Sequence, residues 1–326
     1  MDTKDKRLIY LLDKNSRDKE SELAKQLVTS KQVVNYRIKR LLKKGVIKQF
    51  QSILNLGKFG INVFAHVYFK LSHCDDKKEK EILNYLIKNK VVYYVGIVSG
   101  NFDICVTLLS SSIQKLEKDL NLIISKYSQE LGDYVVSFRS RSIRLPKNYL
   151  SSNGLKEKIE VEPLILDLKK ENIKELDKKI LKLLSNNSRL SFVEIGNLLG
   201  ISFSTVREKV KAFERKKIIL GYSILLNVEK IGMEIYRILV KTNNKSSTIE
   251  DSIFKFAFQH QNFVWVSKTF GMWDYELRVN VENHQKLRQI IKELRQLLGF
   301  SIDNIETLRI LEDLKEDYSL LLENTL

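Results

Sequence analysis

A short basic segment near the N-terminus combines residue types that bind nucleic acids. Between Ser30 and Lys44 lie six Lys and Arg residues and no acidic residue. Val34, Ile38 and Leu41 recur at helical spacing and predict a helix with one apolar face. The opposite face has amides and a tyrosine near its start and basic groups along its length, which suits base edges at the first turns and phosphates at the flanks. The residues predicted to contact DNA are Lys31, Gln32, Asn35, Tyr36, Arg37, Lys39, Arg40 and Lys43.

This basic helix is the third of a three-helix unit. Residues 5–14 and about 18–27 have the periodicity of two earlier helices, and we expect Asp18 to be the N-cap of the second. Val28 and Thr29 are expected to form a tight turn before Ser30, which can cap the third helix. Gly45 is expected to end that helix with a positive φ, and residues 46–55 then alternate as a strand.

The remainder of the first half has the order β-α-β-β-α-β, which predicts a split β-α-β sandwich. Strands are predicted at about 62–71, 91–98, 103–109 and 134–144, and helices at 77–89 and 112–130. His66 and Cys105 lie within the predicted strands, and we interpret them as buried side chains rather than reactive ones.

The chain is a diverged tandem duplication. Residues 5–12 return 172 positions later as residues 177–184, and residues 100–103 return as residues 271–274 at an offset of 171, so one deletion separates the copies. The period is too long for a solenoid array, and each copy should therefore contain complete domains. Two copies in one polypeptide can imitate the two-fold dimer that palindromic DNA requires.

The second copy predicts the same elements and one addition. Strands are expected near 234–242, 263–270, 275–281 and 301–311, helices near 248–260 and 283–298, and an extra closing helix at about 312–323. Ser191 to Glu194 offers a capping box for its second helix. Both prolines, Pro146 and Pro163, lie between the copies and mark a linker. The predicted division is 1–55, 56–146, a linker at 147–172, 173–228 and 229–326.

Composition narrows the class of protein. The net charge of +16 is concentrated in residues 1–150, which contain 28 basic and 15 acidic residues, and such an excess attracts polyanions. No stretch of eighteen residues is free of charge and the N-terminus is charged, so we expect a cytoplasmic protein without a signal peptide or membrane helix. Cys74 and Cys105 have no partner at metal or redox spacing, and we expect no metal or cofactor.

The ordered landmarks resemble the leucine-responsive/asparagine-operon regulator (Lrp/AsnC) family. The resemblance covers almost all of both copies. In the first copy it is carried by Asp5, Leu8, Leu11, Leu12, Arg17, Glu22, Leu23, Ala24, Ser30, Val34, Arg37, Ile38, Leu41, Gly45, Val46, Ile47, Gly60 and the turn at residues 100–103. It implies an α+β fold in which a three-helix winged helix-turn-helix precedes a βαββαβ ferredoxin-like regulatory domain, here in two tandem copies. It also implies sequence-specific binding to double-stranded DNA.

The resemblance implies further site residues. Arg207 and Lys211 are the second-copy candidates for DNA binding, although Glu208 there would oppose phosphate approach, so we expect the first copy to be the main reader. In this family small effectors, often amino acids, bind near a Gly-x-aromatic-Asp turn. That turn corresponds here to Gly100, Asn101, Phe102, Asp103 and to Gly271, Met272, Trp273, Asp274. The alternative for both turns is a purely structural role. Regulatory domains pair through their sheets, which gives either an internal pseudo-dimer or a homo-oligomer.

Two other functions stay open at this point. Siroheme decarboxylase subunits resemble this architecture, but His66, His73, His260 and His284 have no pair at metal spacing and no match between copies. Phosphate-loop, nucleophile-elbow and metal-cluster motifs are missing from the sequence, and we therefore expect no enzyme. A ligand-sensing partner subunit with little DNA affinity is the third possibility, and the charge of the first half argues against it.

Overall fold

The computed structural model describes residues 1–151, 170–243, 246–316 and 322. The first copy begins with three helices and a strand: α1 (Thr3–Lys14), α2 (Glu20–Leu27), α3 (Lys31–Lys43) and β1 (Ile47–Leu54). It continues with β2 (Val63–Lys70), α4 (Asp76–Lys88), β3 (Val92–Ser99), β4 (Ile104–Ser110), α5 (Ile113–Lys126) and β5 (Asp133–Arg144). The predicted order of elements in this copy is confirmed.

The second copy has the same order after the linker region. Its helical part comprises α6 (Glu175–Asn186), α7 (Phe192–Leu199), α8 (Phe203–Arg215) and β6 (Ile219–Leu226). Its second part comprises β7 (Glu234–Thr242), α9 (Ser247–Gln259), β8 (Phe263–Gly271), β9 (Tyr275–Val281), α10 (His284–Leu298) and β10 (Ile302–Glu316). The two parts of each copy match the α+β class predicted from the sequence. Most of the predicted linker lies outside the described residues.

Local sequence signals account for most helix ends. Ser30 caps α3 by accepting from the Val33 N–H, and Ser191 caps α7 with Glu194 completing a capping box. Gly45 has a φ of 64°, as expected after α3. The prediction of Asp18 as an N-cap is wrong. The N-cap of α2 is Lys19, and the Asp18 carboxylate instead accepts from the Asn15 amide.

The predicted closing helix is wrong for residues 312–316, where β10 continues to Glu316. The strand is long because two neighbours pair with it. Residues 302–310 pair with β7 of the same copy, and residues 309–316 pair with β3 of the first copy. Since β3 is an edge strand of the first sheet, its backbone groups on that side are available to pair with the extended chain and stabilise it. The rest of the predicted helix, apart from Leu322, lies outside the described residues.

A two-stranded sheet joins the two helical parts. β1 pairs antiparallel with β6, and the flanking contacts are reciprocal. The Asn55 N–H bonds the Ile218 carbonyl, and the Asn227 N–H bonds the Val46 carbonyl. The Ser16 and Ser188 hydroxyls, 172 residues apart, lie 2.6 Å from each other. The helical units are therefore related by a pseudo-two-fold axis within one chain.

The two β-rich parts close on each other as a barrel. The strand order is β10-β3-β4-β2-β5-β8-β9-β7, so each copy contributes a ferredoxin-like sheet and each edge strand pairs with the other copy. Helices α4 and α5 cover the outer face of the first sheet, and α9 and α10 cover the second. The two β-rich parts thus pair internally. The inward faces of both sheets are enclosed, which creates an interior lined by both copies.

Candidate nucleic-acid interface and barrel cavity

Helix α3 presents the basic face that the sequence predicts. Val34, Ile38 and Leu41 are buried against the other helices. The opposite face is exposed, with Tyr36 at 63% relative exposure. The other predicted contact residues that are exposed on it are Lys31, Gln32, Lys39 and Lys43. Because no described acidic side chain pairs with these lysines, their charges remain available to a polyanion.

Three other predicted contact residues have protein partners. The Asn35 amide donates to the Glu20 carboxylate at 2.8 Å. Arg37 pairs with Asp2 at 2.7 Å and with Asp5 at 2.6 Å, and Arg40 pairs with Asp5 at 2.5 Å. The Arg37 hydrogen bond lowers the pKa of Asp2. The arginine contacts fix α3 against the start of α1, and the Asn35 contact fixes it against α2. A DNA contact by Asn35, Arg37 or Arg40 therefore stays a prediction that would require an exchange of partners.

Helix α8 makes the same kind of contact to the first helix of its unit as α3 does, but its exposed face is different. Lys209 pairs with Asp177 at 2.6 Å, which reproduces the Arg37–Asp5 contact at the same offset. Arg207 and Lys211, the predicted second-copy DNA contacts, are exposed, and so is Glu208. Glu214 is also exposed and accepts from the Tyr222 hydroxyl. The face of α8 therefore mixes charges, whereas the face of α3 between Ser30 and Lys44 has only basic ones.

The two Gly-x-aromatic-Asp turns lie where the sheets of the two copies meet. The Phe102 and Trp273 rings approach each other at 6.0 Å, and both contact the Tyr68 ring. A Cβ on Gly271 would lie 2.6 Å from the Val136 carbonyl oxygen, and one on Gly100 would lie 2.8 Å from Leu308. The glycines thus allow close passage of the other copy's strand, in addition to their positive φ.

The polar members of these turns hold neighbouring strands. The Asp103 carboxylate accepts from the Leu71 N–H, and the Asp274 carboxylate accepts from the Thr242 N–H. Asn101 and Met272 face outwards, and Asn101 donates to Glu306. Each of these contacts is a structural one, made within the chain. Effector contact at the two turns stays a prediction.

The barrel interior contains a cavity of about 40 Å³ with charged side chains in its wall. The first copy contributes His66 and Arg139 to its wall, and the second contributes Arg237, Glu276 and Arg278. Phe64, Tyr93 and Trp265 form an aromatic part of the wall. Arg237 lies 3.2 Å from the Glu276 carboxylate and donates to the Tyr68 hydroxyl at 2.9 Å. Arg278 pairs with Asp313 at 2.6 Å.

His66 is neutral in this setting. Burial lowers its pKa well below the usual value, and the neighbouring Arg139 and Arg237 charges lower it further. Arg139 donates to Nε2 of the ring. Since Arg is a donor only, Nε2 must be the unprotonated nitrogen, and Nδ1–H then donates to the Thr107 hydroxyl at 2.8 Å. His66 is thus buried, as predicted, but it belongs to a charged network that the sequence did not reveal.

The comparisons with known proteins agree on the helical parts. Residues 174–214 match the AsnC-type helix-turn-helix domain model, and residues 1–48 match a winged helix-turn-helix DNA-binding model. The chain is 31% identical over 132 residues to an uncharacterized HTH-type transcriptional regulator of Pyrococcus furiosus. That alignment covers 86% of the relative and 40% of this chain. The chain belongs to the Lrp/AsnC family. A second relative in this family, the HTH-type transcriptional regulator Ptr1 of Methanocaldococcus jannaschii, is 38% identical over 99 residues, which cover 66% of that protein and 30% of this chain.

The duplicated architecture of this Lrp/AsnC chain has a full-length structural counterpart. The crystal structure of the siroheme decarboxylase NirDL aligns with a TM-score of 0.64 at 15% identity, covering 99% of this chain and 96% of that one. At this identity the match establishes the tandem fold alone. Among the described residues, no group of three or more His, Cys, Asp or Glu side chains is placed to hold a metal ion. Of the helices described, none is long and apolar enough to cross a bilayer.

Proposed function

We propose that this Lrp/AsnC chain is a sequence-specific DNA-binding transcriptional regulator that binds as a single-chain pseudo-dimer and reads DNA mainly through α3. The observation that carries the proposal is the exposed, uniformly basic face of α3, held at a fixed distance from α8 by the β1–β6 sheet. Helices docked in this way enter a major groove by their first turns. Lys31 and Gln32 then lie nearest to the base edges.

The remaining basic residues of α3 divide into two roles. Lys39 and Lys43 are exposed and free to neutralise phosphates, which supplies affinity without sequence preference. Arg37 and Arg40 are held by Asp2 and Asp5 and orient the helix. Tyr36 offers an aromatic face and a hydroxyl at the exposed centre of the helix. Specificity in this scheme comes from the N-terminal half of α3, and most electrostatic affinity from its C-terminal half.

The pseudo-dimer places α8 beside α3. We call α3 and α8 the two DNA-binding heads, and α8 is the weaker one. Arg207 and Lys211 of α8 can contact phosphates, but Glu208 lies between them on the exposed helix and repels the backbone. We therefore expect an operator whose two half-sites differ, with one half-site read closely and the other bound loosely. DNA binding of this kind requires no catalytic residue. We therefore infer that the chain is a regulator and not an enzyme.

A salt titration of DNA binding tests this proposal. Affinity for the chain's own upstream DNA and for scrambled DNA would be measured at several salt concentrations. Lys39→Ala/Lys43→Ala should flatten the slope of log affinity against log salt by about 0.9 for each phosphate that is no longer neutralised. Arg207→Ala/Lys211→Ala should change it less. Lys118→Ala/Lys292→Ala, exposed on α5 and α10, removes the same charge from the barrel and is the matched control. Equal slopes for all variants would contradict the proposal.

One observation keeps a second function in view, namely the full-length fold match to a siroheme decarboxylase. A tetrapyrrole enzyme needs a pocket for a macrocycle, and ligand pockets for molecules of drug size measure roughly 300–1,000 Å³. The barrel cavity is about 40 Å³. Titration of the protein with iron-uroporphyrin III decides between the two functions. We expect no change in the Soret band, whereas saturable binding with release of carbon dioxide would favour the enzyme.

A further inference from the structure

We propose that Gln32, Tyr36 and Arg40 of α3 act as one unit that recognises an adenine and a nearby thymine in the major groove. We call these three residues the reading stripe. Gln32 contacts the adenine, Tyr36 contacts the methyl group of the thymine, and Arg40 positions the Tyr36 ring. The proposal rests on the proposed DNA-binding function and specifies which bases the α3 head recognises.

The reading stripe runs in one line along α3. Its members are four residues apart, and side chains at this spacing are neighbours on a helix surface. Gln32 and Tyr36 are exposed, and Arg40 is partly exposed. Among the residues that the structure describes, the Gln32 amide and the Tyr36 hydroxyl have no hydrogen-bond partner. These two uncharged side chains are therefore available to the edges of bases.

All three members of the stripe differ between the two copies. Their counterparts in α8, at the offset of 172, are Ser204, Glu208 and Ala212. The buried positions of both helices, by contrast, have remained apolar. The packing of the helix against its unit therefore does not explain why the stripe differs. The difference points to a function that α3 has and α8 lacks.

A chain of contacts fixes the Tyr36 ring. The Arg40 guanidinium lies over this ring, 5.7 Å from its centroid, in a cation–π contact. Arg40 in turn pairs at 2.5 Å with Asp5 of α1, whose side chain is only 4% exposed. The ring is thus anchored through Arg40 to the interior of the helical unit. Because a side chain that is already positioned loses less conformational entropy on binding, this anchoring favours contact with DNA.

The chemistry of the two exposed side chains selects an A·T-containing site. Adenine presents the N7 acceptor and the N6 donor in the major groove, and the Gln32 amide supplies one donor and one acceptor to match them. Thymine presents a methyl group, which binds to apolar surface. Tyr36 supplies that surface with the part of its ring that Arg40 does not cover. Lys31, Lys39 and Lys43 add charge along the same helix.

The helix geometry sets the distance between the two bases. Four residues of an α-helix rise about 6 Å, and successive bases of one DNA strand are about 3.4 Å apart. Gln32 and Tyr36 therefore reach base pairs that are one or two steps apart. The recognised adenine and thymine should lie at this separation in the half-site that α3 binds.

Base analogues in the chain's own upstream DNA test the proposal with the full chain. Uracil replaces each thymine in turn and removes only the methyl group, and 7-deazaadenine replaces each adenine and removes only the N7 acceptor. In the α3 half-site one uracil should weaken binding about fourfold, and one 7-deazaadenine about tenfold, at base pairs one or two steps apart. The same replacements in the α8 half-site are the matched control and should change affinity less than about twofold. Unchanged affinity for every replaced thymine would overturn the proposal.

Variants assign each contact to its side chain. Tyr36→Ala should bind the thymine and uracil sites equally, whereas Tyr36→Phe should keep the fourfold difference because the ring is retained. Gln32→Ala should remove the effect of 7-deazaadenine and keep that of uracil. Lys39→Ala should weaken binding to every DNA and leave both ratios unchanged. If Tyr36→Ala and Gln32→Ala keep the ratios of the unmodified chain, the assignment is wrong.

Arg40→Lys tests the positioning role separately from charge. This variant keeps the charge, so the salt slope should not change, but it lacks the planar guanidinium over the Tyr36 ring. The preference for thymine over uracil should fall to less than about twofold. Circular dichroism confirms the fold, and the Tyr36 variants, altered at an exposed side chain, decide the matter if Arg40→Lys is unfolded.

The unmodified chain on unmodified DNA separates the two levels of the proposal. Preference for upstream over scrambled DNA without sensitivity to either analogue would contradict the reading stripe alone. Equal binding to upstream and scrambled DNA would overturn both the stripe and the proposed function.

Discussion

In both helical units an ion pair at the same position holds the third helix against the first. The pair is Asp5 with Arg37 in the first unit and Asp177 with Lys209 in the second. The exposed faces of the same two helices have diverged, because Tyr36 and Lys31 in α3 are replaced by Glu208 and Phe203 in α8. The contacts that build the two heads were thus retained while the surface available to DNA changed. The exposed face of α3 has only basic charges, whereas that of α8 has basic and acidic ones.

The largest effect on stability should come from a position where the internal contacts of the two helical units differ. Asp13 of α1 is buried and pairs with Arg144 at 2.5 Å and Lys147 at 2.6 Å, whereas its counterpart Ser185 bonds only the Ser52 hydroxyl among its described side-chain contacts. Removing one partner of a buried ion pair costs about 3–5 kcal/mol, and losing a neutral hydrogen bond about 1 kcal/mol. Urea unfolding should therefore show Asp13→Ala far less stable than Ser185→Ala. Equal losses would contradict this account.

Low pH should remove most of the difference in stability between the Asp13→Ala and Ser185→Ala variants. Burial alone would raise the pKa of Asp13, but Arg144 and Lys147 outweigh it and lower the pKa to about 2, against an ordinary 3.8. A lowered pKa stabilises the fold above the unfolded value and ceases to do so as pH falls through the folded value. The free energy of unfolding attributable to Asp13 should thus be constant above about pH 5 and decline from about pH 4 to 2. Titration of the Asp13→Asn variant alongside measures this window.

A smaller loss of stability, equal for the two helical units, is expected where their internal contacts match. Arg17 donates to the carbonyls of Ser188 and Leu190, and Arg189 donates to those of Ser16 and Asp18. Hydrogen bonds from charged donors contribute about 1.5–3 kcal/mol. Arg17→Ala and Arg189→Ala should therefore lower the unfolding midpoint to a similar degree. A large difference between them would show that the pseudo-two-fold joint is energetically one-sided.

The reading surfaces can be made more alike by changing one charge. Glu208→Lys gives α8 a uniformly basic face at the centre of the helix. We expect affinity for DNA to rise by about tenfold at low salt and the salt slope to steepen by about 0.9. Glu117→Lys, exposed on α5, adds the same charge to the barrel and should have little effect. Equal gains from both variants would mean that net charge alone determines binding.

The smallest effect concerns the ends of the two third helices. Gly45 has a φ of 64°, and its counterpart Lys217 has a φ of 56° in the left-handed region. A side chain in this region costs about 1 kcal/mol. Lys217→Gly should stabilise the protein by up to about 1 kcal/mol, and Gly45→Ala should destabilise it by a similar amount. Thermal unfolding measures both, and a loss of stability in Lys217→Gly would refute the assignment of strain.

The sequence predicts the elements well because their signals are local. Apolar spacing locates α3, a serine locates its start, and a glycine locates its end. The β1–β6 pairing and the extension of β10 escape sequence-based prediction, since both depend on edges supplied by the other copy. The pairing of Arg37 with Asp2 and Asp5 could not be predicted from the sequence, because these partners lie 35 and 32 residues away along the chain. From the sequence alone, Arg37 is therefore predicted only as a DNA contact.

The cavity could not be predicted for the same reason. Arg139, Arg237 and Glu276 lie on three strands from two copies and converge only when the barrel closes. One signal was present in the sequence: charged residues at the centres of otherwise apolar strands, such as Arg237 in β7. Buried charges need partners, so these positions point to an interior network.

The central claim is that one chain presents two unequal heads to DNA. Hydroxyl-radical and base-specific footprinting of the chain on its own upstream DNA tests this most directly. We expect two protected regions about one helical turn or a multiple of it apart, with base protection confined to one of them and abolished in Gln32→Ala. Base protection of equal strength in both regions, or in neither, would contradict the account.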